Sequence, residues 1–359
     1  MDLDDSLLWV SLLLLLVIVG SSWTVCALQG REGAEGFVAS EPSTYAGWAG
    51  VYRYYANPAF MDRIHDSKGM MPLENIAKQR QFIPGRPKAA FAMRRAVRDY
   101  MGPTFRLRRK NGSGDEVDVY MDDIGTVAFL DGGGSTQDMP TWANGQPLQM
   151  TVWYDQSGNR HHMRMIDHPL VVREDDGRLC VHLDGNTQYG ICDGILPASR
   201  KATAAALGIA GDSPKTVVAL AKPIQKGSLK MGLFDVGSRS ENKRFCMRTT
   251  SGADYGLDWL ADFGSQKKNI RWDQEGGFGE WHHYTLAHSG GNGRTIVSLN
   301  ERPLASHSPH QLDTDGGAPL RFGGLSSTPG AGQSTQVWKG RVAGLAVLDV
   351  DVPQGVNLR

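Results

Sequence analysis

Hydrophobic patterning divides the chain into two regimes. From Leu7 to Leu28 there is no charged residue, and Leu12 to Val19 is an unbroken apolar run. A helix of about 20 apolar residues spans a bilayer core, and Trp9 and Trp23 stand near the two ends, as interfacial aromatics do. The stretch predicts an N-terminal transmembrane anchor over residues 1–29. The rival reading is a cleaved signal peptide, since Val25-Cys26-Ala27 has small residues suited to cleavage. Against it, Met1-Asp2-Leu3-Asp4-Asp5 lacks the basic n-region of a signal. Arg31 is the first basic residue after the span; counted alone, it leaves the bulk of the chain cytoplasmic, so a single-pass membrane location is expected with its orientation open.

The second regime is one of short apolar runs between turn residues. Phe105-Arg-Leu-Arg alternates, and Thr151 to Tyr154, Leu170 to Val172, Leu179 to Leu183, Thr216 to Leu220 and Met231 to Val236 read as strands. Trp281 to Ala287, Thr295 to Leu299, Leu320 to Gly323 and Arg341 to Leu348 follow in the same style. Many short strands without alternating helices predict an all-β sandwich or jelly roll. Ala92, Met93, Ala96, Val97 and Tyr100 fall at three-four spacing, so a short helix over Ala89 to Tyr100 is expected before the strands, with Gly102-Pro103 as its stop. Residues 30–88 carry the cluster Tyr45, Trp48, Tyr52, Tyr54, Tyr55 and Phe60 without a sustained period, and read as a stalk. The sandwich domain is placed at 89–351 and a tail at 352–359.

Composition agrees with this picture. The 359 residues include 44 Gly and 17 Pro, which favours turns over a helix bundle. Lys+Arg and Asp+Glu both total 38, so no net charge draws the chain to nucleic acid. The basic cluster Arg94, Arg95, Arg98, Arg106, Arg108, Arg109 and Lys110 is explained by strand alternation and an exposed face. Setting Cys26 aside, Cys180, Cys192 and Cys246 make an odd number and no disulfide framework; Cys180 and Cys192 either pair or stay reduced. His161-His162 and His282-His283 are adjacent, and neighbours on a strand point to opposite faces, so no metal and no cofactor is expected.

Two groups of residues carry a resemblance. Tyr100-Met-Gly-Pro-Thr-Phe-Arg-Leu-Arg-Arg, followed by Trp153-Tyr-Asp-Gln-Ser-Gly-Asn-Arg-His-His, resembles the catalytic domain of alpha-L-arabinofuranosidase B. Glu280-Trp-His-His-Tyr, Val297-Ser-Leu-Asn, Leu320-Arg-Phe-Gly-Gly and Trp338 to Leu348 resemble the laminin-G-like and concanavalin A-like lectin/glucanase jelly roll. The resemblance implies a concanavalin A-like two-sheet sandwich. It also implies a test for hydrolysis, because a retaining glycosidase needs two carboxyls about 5 Å apart. The family's acid follows a Gly-Gly pair, and here Leu325 follows Gly323-Gly324. The family's nucleophile strand falls near Arg244-Phe-Cys-Met-Arg248, where no Glu stands and Glu241 is the nearest. Inherited hydrolysis is therefore not expected. Were carboxylates relocated, Asp258, Asp262 and Glu280 would be the first candidates.

Asp258, Trp259, Asp262 and Trp272, with Asp254 close by, form an acidic-aromatic patch whose residue types suit a glycan. Trp153, Tyr154, Asp155, Gln156, Ser157 and Gly158 read as a structural motif, in which Asp155 and Ser157 bind nearby backbone and hold a turn. The expected protein is a membrane-anchored lectin-like module recognising carbohydrate or a protein surface. The alternatives are a glycosidase with relocated carboxylates and a ligand-free structural component.

Overall fold

The computed structural model describes residues 87–352, apart from 98–99, 101, 113, 122–127, 132–138, 225–230, 252–256, 265–268, 274–278, 309–310 and 327–333. For 128–131, 250–251, 257–260, 271–273, 326 and 334–335 it describes the backbone alone. The expected anchor, the aromatic stalk up to position 86, Asp254 and most of the tail lie outside the described residues. Among the described residues no helix is long and apolar enough to cross a membrane.

The architecture is all-β, with every ladder antiparallel. Alternating side chains give each strand an apolar face, and two layers of such faces close on each other. The back layer runs β17 (Arg302–His307), β16 (Thr295–Leu299), β15 (His282–His288), β10 (Lys215–Pro223) and β21 (Lys339–Leu348). The far edge of β21 is shared end to end by β1 (Ala89–Ala92) and β8 (Leu179–Asp184). The front layer runs β14 (Ile270–Asp273), β13 (Leu257–Asp262), β12 (Arg244–Ser251), β11 (Gly232–Gly237), β18 (Arg321–Phe322) and β9 (Tyr189–Ile191). It continues through β6 (Met163–Ile166), β5 (Leu148–Trp153), β2 (Phe105–Arg109), β3 (Glu116–Met121) and β4 (Ala128–Asp131). Strand β7 (Leu170–Arg173) joins β8 to β5 and so links the layers. A short hairpin, β19 (Leu325–Ser326) with β20 (Ser334–Thr335), and one helical turn, α1 (Met139–Ala143), complete the set.

The core lies where the layers meet. Trp153 of the front layer touches Phe91 of the back layer at 6.2 Å between ring centroids, and Phe322 of its own layer at 5.7 Å. Phe234, Phe245 and Phe263 continue the stack along the front layer, all fully buried. Cys180, Cys192 and Cys246 are separate buried thiols.

The expected helix over Ala89 to Tyr100 does not form. Ala89–Ala92 is strand β1, paired residue for residue with Val347 back to Gly344. Alanine favours helix, but propensity is a weak prior that tertiary pairing overrides. Here the backbone groups find partners outside the segment. On the edge of β1 away from β21, the Ala90 amide donates to Asp155 Oδ1 (2.9 Å) and its carbonyl accepts from the Gln156 amide (2.7 Å). Beyond the strand, the Ala96 amide donates to Gln156 Oε1 (2.8 Å), while Gln156 Nε2 donates to the Ala92 and Arg94 carbonyls. The small side chains are buried along the whole strand, which a helix with one solvent face would not allow.

Candidate functional site

Strand register assembles the candidate site. Starting at Asp262 on β13, direct cross-strand partners lead to Cys246, Asp235, Arg321, Ile191, Arg164, Val152, Arg106 and Asp118. One position on each of nine successive front-layer strands thus falls in a single transverse line. Their sequence neighbours Phe245, Phe234, Phe322, Trp153 and Phe105 point into the core, so alternation puts the line on the opposite, outer face.

The line is closed at one end and half open at the other. Asp235 is 2% exposed, and Arg321, Ile191 and Cys246 are also buried, whereas the side chains of Arg164 and Arg106 are 35% and 37% exposed. At the closed end Arg244 holds Asp235 in a two-pronged pair, Nε to Oδ1 at 2.7 Å and Nη2 to Oδ2 at 2.8 Å. Its Nη1 approaches Asp262 Oδ2 at 3.5 Å, and Arg248 Nε donates to that same oxygen at 2.7 Å. Burial opposes ionisation of Asp262, but the Arg244 and Arg248 guanidiniums outweigh it and hold the carboxyl below its ordinary range. The Arg321 guanidinium lies 5.9 Å from the Tyr189 ring centroid.

At the open end Arg164 Nη2 pairs with Asp193 Oδ2 at 2.5 Å. Arg106 reaches both oxygens of Asp118, at 2.7 and 2.9 Å, and lies 3.8 Å from Glu116. Tyr154 donates its hydroxyl to Asp118 Oδ1 at 2.8 Å, and burial pushes its phenol well above the ordinary value. The His162 ring meets Tyr154 edge-on at 5.0 Å. Burial pushes His162 down to about 4, so the imidazole is neutral at pH 7, with Nδ1 accepting from the Asp155 amide.

The structural motif stands directly behind this end. Asp155 accepts from the amides of Ala90, Ser157 and His161 and from the Ser157 hydroxyl, and Trp153 Nε1 donates to the Ala92 carbonyl. Gly158 has φ of +84°, the left-handed conformation that closes the loop.

The acidic-aromatic patch is divided. Asp262 belongs to the line, within the arginine network. Asp258 and Trp259 sit on β13, where Trp259 faces Trp272 of β14 across the ladder and Asp258 faces Asp273; their side chains lie outside the described part. Glu280 is exposed, 3.9 Å from His282 Nε2 and away from the line's strands. After Gly323-Gly324, Leu325 is buried and lies over Gly232, where an added Cβ would come within 2.3 Å of Leu325 Cδ2. Glu241 is exposed in the hairpin between β11 and β12. Sequence reasoning missed Asp235, Arg244, Arg248, Arg321, Arg164 and Asp193. The available signal was the alternation Arg244-Phe-Cys-Met-Arg248, which puts two arginines on one face.

No family model matches the chain, and no curated protein matches it in sequence. Solved structures do match. A GH54 α-L-arabinofuranosidase soaked with a cyclic sulfate inhibitor is 12% identical at a TM-score of 0.51, over 75% of this chain and 60% of that one. The chain shares the β-sandwich fold of that structure. A Glu-to-Gln mutant of a GH54 α-L-arabinofuranosidase, soaked with 4-nitrophenyl α-L-arabinofuranoside, gives 14% identity and a TM-score of 0.50 over the same shares. The chain is thus a concanavalin A-like β-sandwich that spans about 60% of the length of these enzymes. At such identities the likeness is one of fold.

Proposed function

We propose that this chain is a carbohydrate-binding module, tethered to a membrane through Leu7 to Leu28, that engages a neutral saccharide at the open end of the transverse line and does not hydrolyse it. The supporting observation is the pairing within the line. Arg106, Arg164, Arg244 and Arg248 are paired with Glu116, Asp118, Asp193, Asp235 and Asp262, and Arg321 stands opposite Asp235 across the ladder. Balanced guanidinium–carboxylate pairs offer donors and acceptors side by side, which suits vicinal hydroxyls. Retaining hydrolysis instead needs one protonated carboxyl opposite a free carboxylate. Asp235 and Asp262 are engaged by arginines, and Leu325 has no proton to give.

A glycan array probed with the full chain tests the reading. Binding of at least one neutral glycan is expected, weakened about tenfold or more by Arg164→Ala, which removes charge-assisted hydrogen bonds. Failure to retain any glycan would favour the ligand-free structural component. No turnover of 4-nitrophenyl α-L-arabinofuranoside is expected. Turnover abolished by Asp258→Asn or Asp262→Asn would establish the relocated-carboxylate enzyme.

A further inference from the structure

Ile195 is 70% exposed, the most exposed large apolar side chain among the described residues. It sits at the tip of the loop from Asp193 to Lys201, and that loop is held rigidly. Asp193 Oδ1 accepts from the Ile195 amide (3.2 Å) while its other oxygen holds Arg164. The Ser199 amide donates to the Leu196 carbonyl (3.0 Å), and the Ser199 hydroxyl reaches the carbonyls of Arg160 and His162. The Arg200 amide donates to the Arg160 carbonyl (2.7 Å), and Ala202 closes the base on the Cys192 carbonyl (3.0 Å). Gly194 has φ of +76°, and an added Cβ there would come within 2.8 Å of the Lys201 nitrogen.

The chemistry of the tip is apolar over basic. Ile195, Pro197 and Ala198 are exposed and Leu196 is half-buried, while Arg200 and Lys201 are exposed at the base beside Arg160. The acid of the loop, Asp193, is turned inward to Arg164. A loop so constrained keeps an isoleucine in water without the freedom to fold it away.

We propose that this loop docks on an anionic phospholipid surface, with Ile195 entering the headgroup–acyl boundary and Arg200, Lys201 and Arg160 meeting lipid phosphates and carboxylates. This goes beyond the saccharide reading and does not depend on it. The size of the patch favours lipid over protein. A specific protein interface buries about 800 Å² on each partner, far more than one exposed side chain and its neighbours supply. Interfacial binding needs only an apolar insertion beside basic residues.

The test uses the full chain carrying Cys26→Ser and Ile195→Cys, nitroxide-labelled at position 195. Cys180, Cys192 and Cys246 are buried. The protein is mixed with vesicles of phosphatidylcholine with or without phosphatidylserine. Accessibility to oxygen and to an aqueous nickel chelate is read by power saturation. With phosphatidylserine the label is expected to favour oxygen. Adding Arg200→Glu and Lys201→Glu should weaken vesicle binding through the loop about tenfold or more, and about 0.5 M salt should return the label to water. A label that stays aqueous on phosphatidylserine vesicles overturns the proposal. So does one shielded from both relaxants, which would mark a protein contact. The loop and the anchor fail separately: carbonate-resistant association with an aqueous label removes the loop alone, whereas salt-reversible lipid contact by a chain that carbonate extracts removes the anchor alone.

Discussion

At the residue scale, Lys215 is fully buried in the back layer. Its Nζ donates to the Gly211 carbonyl (2.6 Å) and to Thr314 Oγ1 (2.9 Å), and lies 5.8 Å from the Phe245 ring centroid. Burial pushes its ammonium from 10.5 down to about 8. Between those values the unfolded chain binds more protons than the folded one, so stability rises with pH across that window. Below about pH 8 the folded state carries the full cost of a buried charge. Lys215→Met is expected to flatten this rise, read as urea midpoints at pH 7, 9 and 10.5. Asp155 stabilises through hydrogen bonding, since its side-chain oxygens accept from three amides and a hydroxyl. Asp155→Ala should cost about 3 kcal/mol or more, because buried donors left unmade cost about 1–3 kcal/mol each; thermal unfolding measures it. That Asp155 and Ser157 pin a turn was legible, because the bond to the Ser157 amide spans two residues. The partners of Gln156 were not, since they lie 60 or more residues upstream on a segment whose alanines read as helix.

At the element scale, Trp153 decides how β5 sits. It is fully buried between Phe91 and Phe322 and donates to the Ala92 carbonyl. Trp153→Ala is expected to cost about 3–5 kcal/mol, a large part of a domain's margin of about 5–15 kcal/mol, and calorimetry should show the transition falling steeply. The strands with β-branched runs between turn residues, such as β10, β15 and β21, were readable because composition and length agree. Strands β13 and β14 were not, because Leu257-Asp-Trp-Leu-Ala-Asp262 and Ile270-Arg-Trp-Asp273 mix charge with aromatics and resemble a ligand patch before they resemble strands. Strand β1 failed for the converse reason: alanine carries little β signal, and only the edge of β21 makes it a strand.

At the scale of the whole molecule, the transverse line joins residues from Arg106 to Asp262, and no local pattern announces it. Its members meet only through eight successive registers, which depend on every strand order in the front layer. Sheet class was legible from the runs; the line was not. The N-terminal stretch lies outside the described residues, and its anchor is an expectation from composition alone. Deleting residues 1–29 is expected to move the chain from a carbonate-resistant membrane fraction to the soluble one. Recovery of the intact full-length chain as soluble protein would remove the anchor, and a mature N-terminus at Leu28 would mark a cleaved signal instead.

The line has a consequence for how the sandwich finds its own alignment. A slip of β12 by one position against either neighbour would swing Arg244 and Arg248 into the apolar layer and turn Phe245 and Met247 to the outside. Each guanidinium would enter the interior without its aspartate, and a buried pair broken in that way costs about 3–5 kcal/mol. The arginines and aspartates on the consecutive strands β13, β12, β11 and β18 make such misaligned arrangements costly, so the same charges that line the outer face disfavour the wrong registers.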